Sequence, residues 1–291
     1  DVGINFIDVS PYYGITRAET VLGKALREIP RDAYFLATKV GRYGEAQFDF
    51  SARRVTASVD ESLARLGVDA VDLIQCHDIE FGSLDQVVEE ALPALYRVRE
   101  RGKARFIGIT GLPLRIFPAV LDRAEVDTIL SYCHYALNDT SLEDLVPYLQ
   151  AKGVGIVNAS PLSMGLLTGR GPPDWHPASP GILEACARAA AHCRDRGEDI
   201  SKLALQFSAS HPGLATTLVG TGTDVQAVLE ELDNGIAEHL ADSSAAHAAS
   251  AVSFSPTGTI AATDAQAAIA EVASEAATAI GLKADAANPV F

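Results

Sequence analysis

Apolar strands alternating with amphipathic helices predict an α/β fold, one parallel sheet whose strands are joined by helical crossovers. Three observations support it. Seven short apolar runs, near residues 4, 35, 72, 106, 129, 155 and 217, are separated by helix-period segments. Glycines such as Gly67, Gly102 and Gly153 close those segments, at the position where a left-handed residue stops a helix. Hydrophobic residues make up 48% of 291 positions, ample for one large core.

In chain order, the first run, Ile4 to Ile7, ends in the carboxylate of Asp8. A turn on Ser10, Pro11 and Gly14 follows and carries Tyr13, five residues past Asp8. A helix is expected from about Ala18 to Arg27. The second run, Tyr34 to Lys39, ends in an ammonium. Arg53 to Leu66 reads as a helix with Val55, Val59, Leu63 and Leu66 on one face. The third run, Val71 to Asp78, carries His77 at its end. Leu84 to Arg101 reads as one helix, Ala104 to Thr110 as a strand, Ile116 to Arg123 as a short helix and Thr128 to Cys133 as a strand. Leu142 to Ala151 is a helix and Val154 to Asn158 a strand. A loop rich in Gly and Pro, 165 to 181, precedes helices at Ile182–Arg196 and Ser201–Ala209. The strand Thr216 to Val219 and a helix, Val225 to Leu240, complete the pattern.

The net charge of −15 excludes a nucleic-acid or anionic-membrane surface, and no apolar run reaches membrane-spanning length. The four cysteines, Cys76, Cys133, Cys186 and Cys193, have no metal-like spacing, which fits a reduced, cytoplasmic chain without a metal site.

Three successive βα units each put an ionisable group at the same end of the sheet, where parallel α/β proteins build their sites. Each has a bland alternative: Asp8 as a loop cap, Lys39 as a solvated rim charge, His77 as a satisfied core residue. Together with Tyr13 they make a carboxylate, a phenol, an ammonium and an imidazole. In order and spacing, FIDVSPYYG, LATKVGRYG and DLIQCHD resemble the segments that carry the Asp, Tyr, Lys and His tetrad of the aldo-keto reductases. GKARFIGITG and ASPLSMGLLTG add to the resemblance, which covers roughly residues 1 to 240. DVSPYYG, HDIEFGSL and SYCHYALNDTSL are similar to the family's plant sugar-oxidising branch.

The resemblance implies a TIM-type (β/α)8 barrel. The family's first strand and helix precede the Asp strand, so the chain is expected to lack its first βα unit, with seven strands visible. It also implies NAD-dependent oxidation of an aldose, L-galactose or a similar sugar, at C1 to the lactone. An NADPH-dependent aldehyde reductase and a non-catalytic nucleotide-binding barrel stay open as alternatives. The implied partners are a small-molecule sugar or aldehyde, with the chain a monomer or weak homo-oligomer.

In this chemistry Lys39, held by Asp8, is expected to lower the pKa of Tyr13, which serves as general base or acid while His77 steers the substrate oxygen. Carried over from the family, Thr110, Ser160, Leu162, Gly165, Gly220, Thr221, Gly222, Thr223 and Gln226 are the cofactor positions. The chain departs from the family at Thr110-Gly111, where Ser-Asn is usual. It departs again at Ala159, where an aromatic residue stacks on the nicotinamide, and at Glu230, usually Asn. Tyr132, His134, Tyr135 and Trp175 fall in loops near the expected pocket, as packing or as substrate contacts. Residues 241–291 hold nineteen alanines and no Arg, Tyr or Trp. They read as a separate Ala-rich tail, helical or loosely ordered, with no chemistry.

Overall fold

The computed structural model of the chain describes residues 5–220. They form two compact units, one of residues 5–161 with 208–219 and the other of 162–207 with Gly220. The expected helix at 225–240 and the tail lie outside the described residues, as does Ile4.

The first unit contains β1 (Phe6–Asp8), β2 (Phe35–Val40), β3 (Arg42–Gly44), β4 (Gln47–Phe48), β5 (Val71–Cys76), β6 (Ala104–Gly111), β7 (Thr128–Tyr132), β8 (Gly155–Ala159) and β9 (Thr216–Leu218). Seven of these make one sheet in chain order, β1-β2-β5-β6-β7-β8-β9, with every neighbouring pair parallel. A doubly wound sheet would reverse its order part-way. This one never does, and that is the winding of a (β/α)8 barrel, with seven of its strands among the described residues. All seven expected strands are present. The antiparallel hairpin β3–β4, paired Arg42 to Phe48, was not expected. Its strands are too short to show a period.

The helices are α1 (Arg17–Ala25), α2 (Ala52–Leu66), α3 (Leu84–Gln86), α4 (Leu92–Glu100), α5 (Ile116–Leu121), α6 (Val146–Ala151), α7 (Pro180–Arg194) and α8 (Ile200–Ala209). The helix expected at 84–101 is not uniform. A π turn, Val87–Ala91, separates α3 from α4. Pro93 is the second residue of α4, and a proline in a helix lacks an N–H and crowds the preceding turn, so the wider turn relieves it. The helix expected at 142–151 likewise begins as a 3-10 segment, Ser141–Leu145, ahead of Pro147. Among the described residues no helix is long and apolar enough to cross a membrane.

Local chemistry accounts for α2. The Ser51 side chain accepts from the Arg54 N–H, and Gly67 closes the helix at φ 69°. Val55, Val59, Leu63 and Leu66 are buried, the face that the sequence period marked. Where α1 crosses α2, a Cβ on Gly23 would lie 2.2 Å from the Arg65 carbonyl oxygen, so only glycine permits the approach. The fully buried Glu19 joins the helices to the sheet, accepting from Arg65 Nε at 2.6 Å and Thr38 Oγ1 at 2.6 Å.

At the start of β5, Asp72 accepts from Arg31 (2.6 Å), Arg105 (2.8 Å) and the Leu36 N–H (2.9 Å). Burial alone would raise this carboxyl. The Leu36 N–H and the two arginines outweigh it and hold the pKa below its ordinary value of 3.8. A depressed folded pKa stabilises the protein above the unfolded value, and the gain is lost as pH falls through the folded one. Both arginines are substantially solvated, so Asp72→Asn is expected to cost about 1–2 kcal/mol at neutral pH. Urea denaturation of both proteins should show the gap closing as pH falls from 3.8 through the lowered folded value. A gap unchanged in acid would contradict the assignment.

Candidate active site

The parallel register sets Asp8 opposite Ala37 and Lys39 opposite Gln75. Side chains alternate along a strand, so Asp8, Lys39, Gln75 and His77 share one face at the C-terminal ends of β1, β2 and β5. The turn after β1 brings Tyr13 to the same place. Its backbone runs through three left-handed residues, Gly14 (φ 59°), Ile15 (φ 49°) and Thr16 (φ 69°). Two of these are β-branched, a conformation that surrounding structure must enforce. Bonds from Tyr13 N–H to the Ser10 carbonyl (3.1 Å) and from Thr16 N–H to the Pro11 carbonyl (2.7 Å) enforce it.

Lys39 is 1% exposed. Its three ammonium donors go to the Asp8 carboxylate, the Val9 carbonyl (3.1 Å) and the Tyr13 hydroxyl (3.1 Å). Gln75 Nε2 donates to the second Asp8 oxygen at 3.1 Å. Burial alone would lower the Lys39 pKa, but Asp8 and Tyr13 reverse this and hold it above its ordinary value, so the ammonium is charged.

Tyr13 differs from expectation. Burial of its hydroxyl end raises the phenol above its ordinary value of 10, Lys39 pulls it down, and Asp8 pushes it up again. The net shift is upward, because burial, with Asp8 adding to it, outweighs the pull of Lys39. The residue as a whole is 39% exposed, so the dry surroundings act on the hydroxyl end while the ring edge stays open.

His77 is 4% exposed and edge-on to the Tyr13 ring, centroids 5.7 Å apart. Its Nδ1 lies 3.0 Å from Ser10 Oγ, which already accepts the Tyr12 N–H at 3.1 Å. The Ser10 hydroxyl can donate its own proton to Nδ1, and in that tautomer the ring proton sits on Nε2. Burial, with the charges of Lys39 and Arg42, holds the imidazole pKa well below 6.5, so it is neutral.

The cofactor positions lie as follows. Thr110 is buried against Asp78; its hydroxyl accepts the Asp78 N–H at 2.9 Å and donates to Asp78 Oδ1 at 3.3 Å. Ser160 follows β8 at φ 57°, beside Cys133. In the second unit, the Leu162 carbonyl accepts from Gly165 N–H at 3.0 Å and Leu167 N–H at 3.2 Å. Gly220 is exposed. Thr221, Gly222, Thr223, Gln226 and Glu230 lie outside the described residues. Of the loop candidates, Tyr135 is 5% exposed and Trp175 70% exposed. His134 Nδ1 is tied to Asp139 at 2.9 Å.

Four neighbours of the tetrad were not expected: Ser10, Gln75, Arg42 and Asp78. Gln75 had a signal, a polar residue in an apolar strand two positions before His77 and therefore on its face.

A singly wound parallel sheet carries at its C-terminal edge a lysine-coupled tyrosine and a neutral histidine, groups able to give, take and steer a proton. The chain belongs to the aldo/keto reductase family, whose model matches residues 1–237. It is 59% identical over 224 residues to the L-galactose dehydrogenase of Arabidopsis thaliana, covering 75% of this chain and 70% of that one. It is 36% identical over 222 residues to the D-arabinose 1-dehydrogenase of Saccharomyces cerevisiae, covering 72% of this chain and 65% of the relative. Among solved structures, it matches the holo form of aldo-keto reductase AKR11C1 from Bacillus halodurans at a TM-score of 0.67 and 26% identity, over 85% of this chain and 80% of that one. The protein is an oxidoreductase with a small-molecule substrate, from a family that works with nicotinamide cofactors.

Proposed function

We propose that the protein is an NAD-dependent dehydrogenase that oxidises an aldose, L-galactose or a similar sugar, at C1 to its lactone. The observation that carries this proposal is the Tyr13 hydroxyl, 3.1 Å from Lys39 Nζ, itself tied to Asp8. The likeness to sugar 1-dehydrogenases supports the substrate class.

The tetrad can give, take and steer a proton, but none of its side chains can accept a hydride. That donor set fits a nicotinamide, which when bound supplies hydride transfer. The chain's residues supply the rest. His77 donates Nε2–H to the C1 oxygen and fixes its place, and Tyr13 takes the hydroxyl proton. Lys39 stabilises the phenolate so required, and Asp8 and Gln75 hold Lys39 in position. Thr110, Ser160, Leu162, Gly165, Gly220, Thr221, Gly222, Thr223 and Gln226 are the residues assigned to hold the cofactor. Because the phenol pKa lies above 10, oxidation should accelerate as pH rises toward it and reduction should be favoured at lower pH.

A phenol protonated at neutral pH also suits a proton donor, which favours a second reading, reduction of aldehydes. NADH formation with a panel of aldoses, and NADPH consumption with a panel of aldehydes, separate the two. Aldose oxidation with lactone recovered supports the first, and turnover confined to aldehydes with NADPH replaces it.

Cofactor choice follows from charge. A 2′-phosphate calls for cationic donors. From Gly220 to Leu240 the sequence has no Lys or Arg, but has Asp224, Glu230 and Glu231. NAD is therefore expected to bind more tightly than NADP in a fluorescence-quenching titration. Tighter NADP binding would overturn this.

A further inference from the structure

Asp78 follows His77 directly and sits at φ 50°, a left-handed turn that swings its side chain back beside the imidazole. Its Oδ2 is 3.6 Å from His77 Nε2, beyond a hydrogen bond but within one small movement of it. A buried carboxylate so close would ordinarily accept that N–H and favour the imidazolium. It is held elsewhere. Arg42, the first residue of the β3–β4 hairpin, pairs with the same Asp78 oxygen. Thr110 fixes the other oxygen and the backbone N–H.

Arg42 is itself caged. Its guanidinium lies 3.8 Å from the centroid of the Tyr12 ring, 5.3 Å from Phe48 and 5.7 Å from Phe81. Its Nε is buried without a hydrogen-bond partner, a cost the stacking and the Asp78 pair must offset. The groups facing His77 are Ser10, Tyr12 and Tyr13 from the loop after β1, Lys39 from β2, Arg42 from β3 and Asp78 beside it. Asp8 is committed to Lys39, and Glu80 interacts with Asp78 and Arg42. Asp78 is thus the carboxylate within reach of the imidazole.

We propose that Arg42 is a positioning residue: it holds the Asp78 carboxylate off His77 and so leaves Nε2–H of His77 for the substrate oxygen. This rests on the role assigned to His77 above and adds the device that keeps its donor free.

The test is an NMR titration of the His77 imidazole, identified by its loss in His77→Gln, on the full chain without sugar or nucleotide. In Arg42→Met the released carboxylate should raise the imidazole pKa by about one to three units. Arg42→Lys should stay near the parent. Arg42→Met combined with Asp78→Asn should bring the titration back down. Turnover of Arg42→Met should fall roughly tenfold or more, with NAD affinity little changed. If Arg42→Met does not fold, Asp78→Asn carries the test, since its imidazole must titrate at or below the parent's. An unmoved titration in folded Arg42→Met, a raised one in Asp78→Asn, or a shift with turnover intact would each overturn the proposal. Failure of the parent to oxidise any aldose would instead sink the assigned reaction, because the titration contains no substrate.

Discussion

Tyr13→Phe is expected to lower turnover by roughly two to four powers of ten, the usual contribution of a positioned general acid–base group. In the proposed reaction the phenol exchanges a proton with the substrate oxygen, and Phe keeps the ring against His77 while removing the hydroxyl that meets Lys39 at 3.1 Å. The fold should survive, because the residue is 39% exposed and its turn is held by backbone bonds. Nucleotide affinity should be retained, since the phenol is given no part in holding the cofactor. Steady-state rates and a nucleotide titration on both proteins check this. A variant within tenfold of the parent would move the proton chemistry to another residue.

Lys39→Met is expected to be as damaging, with a different pattern. Of the charges around the phenol, Lys39 lowers its pKa and Asp8 raises it. Without the ammonium the remaining influences, burial, Asp8 and Asp78, all push upward. The pH at which oxidation sets in should therefore move further into alkali, and the rate at neutral pH should collapse. The variant also leaves Asp8 facing a methionine, and losing one partner of a buried pair typically costs about 3–5 kcal/mol. Adding Asp8→Asn separates the two effects. The double variant should regain much of the stability but not the neutral-pH rate. A pH–rate profile that does not move in Lys39→Met would remove Lys39 from the mechanism.

The tetrad was legible because each member ends an apolar strand or sits at a fixed distance beyond one, and strand periodicity makes those positions converge. The parallel, singly wound order followed from the same alternation. What could not be read depends on distances between elements. Arg42 lies in a hairpin too short to have a period, and its partner Asp78 reads as an ordinary loop residue until the left-handed backbone turns it round. The direction of the Tyr13 shift was misjudged for a related reason. Sequence shows that a lysine is near, but not how deeply the fold buries the hydroxyl end, and that burial outweighs the lysine. The π turn before Pro93 was hidden because the apolar spacing at Val87, Val88 and Ala91 suits an α-helix equally well.

Asp8, Lys39 and Gln75 are strand residues whose mutual spacing is set by a ladder of main-chain bonds, not by loops. A slip of β2 by a single residue would turn Lys39 to the opposite side of the sheet. The placement of Asp8, Lys39 and Gln75 is therefore as durable as the sheet itself, while Tyr13 and Arg42 hang from it on a turn and a short hairpin. For an engineer this divides the molecule usefully. Loop grafts between relatives can be screened for new sugars with the three strand ends left untouched, and a graft that loses all activity points first to the Tyr13 turn or the Arg42 hairpin.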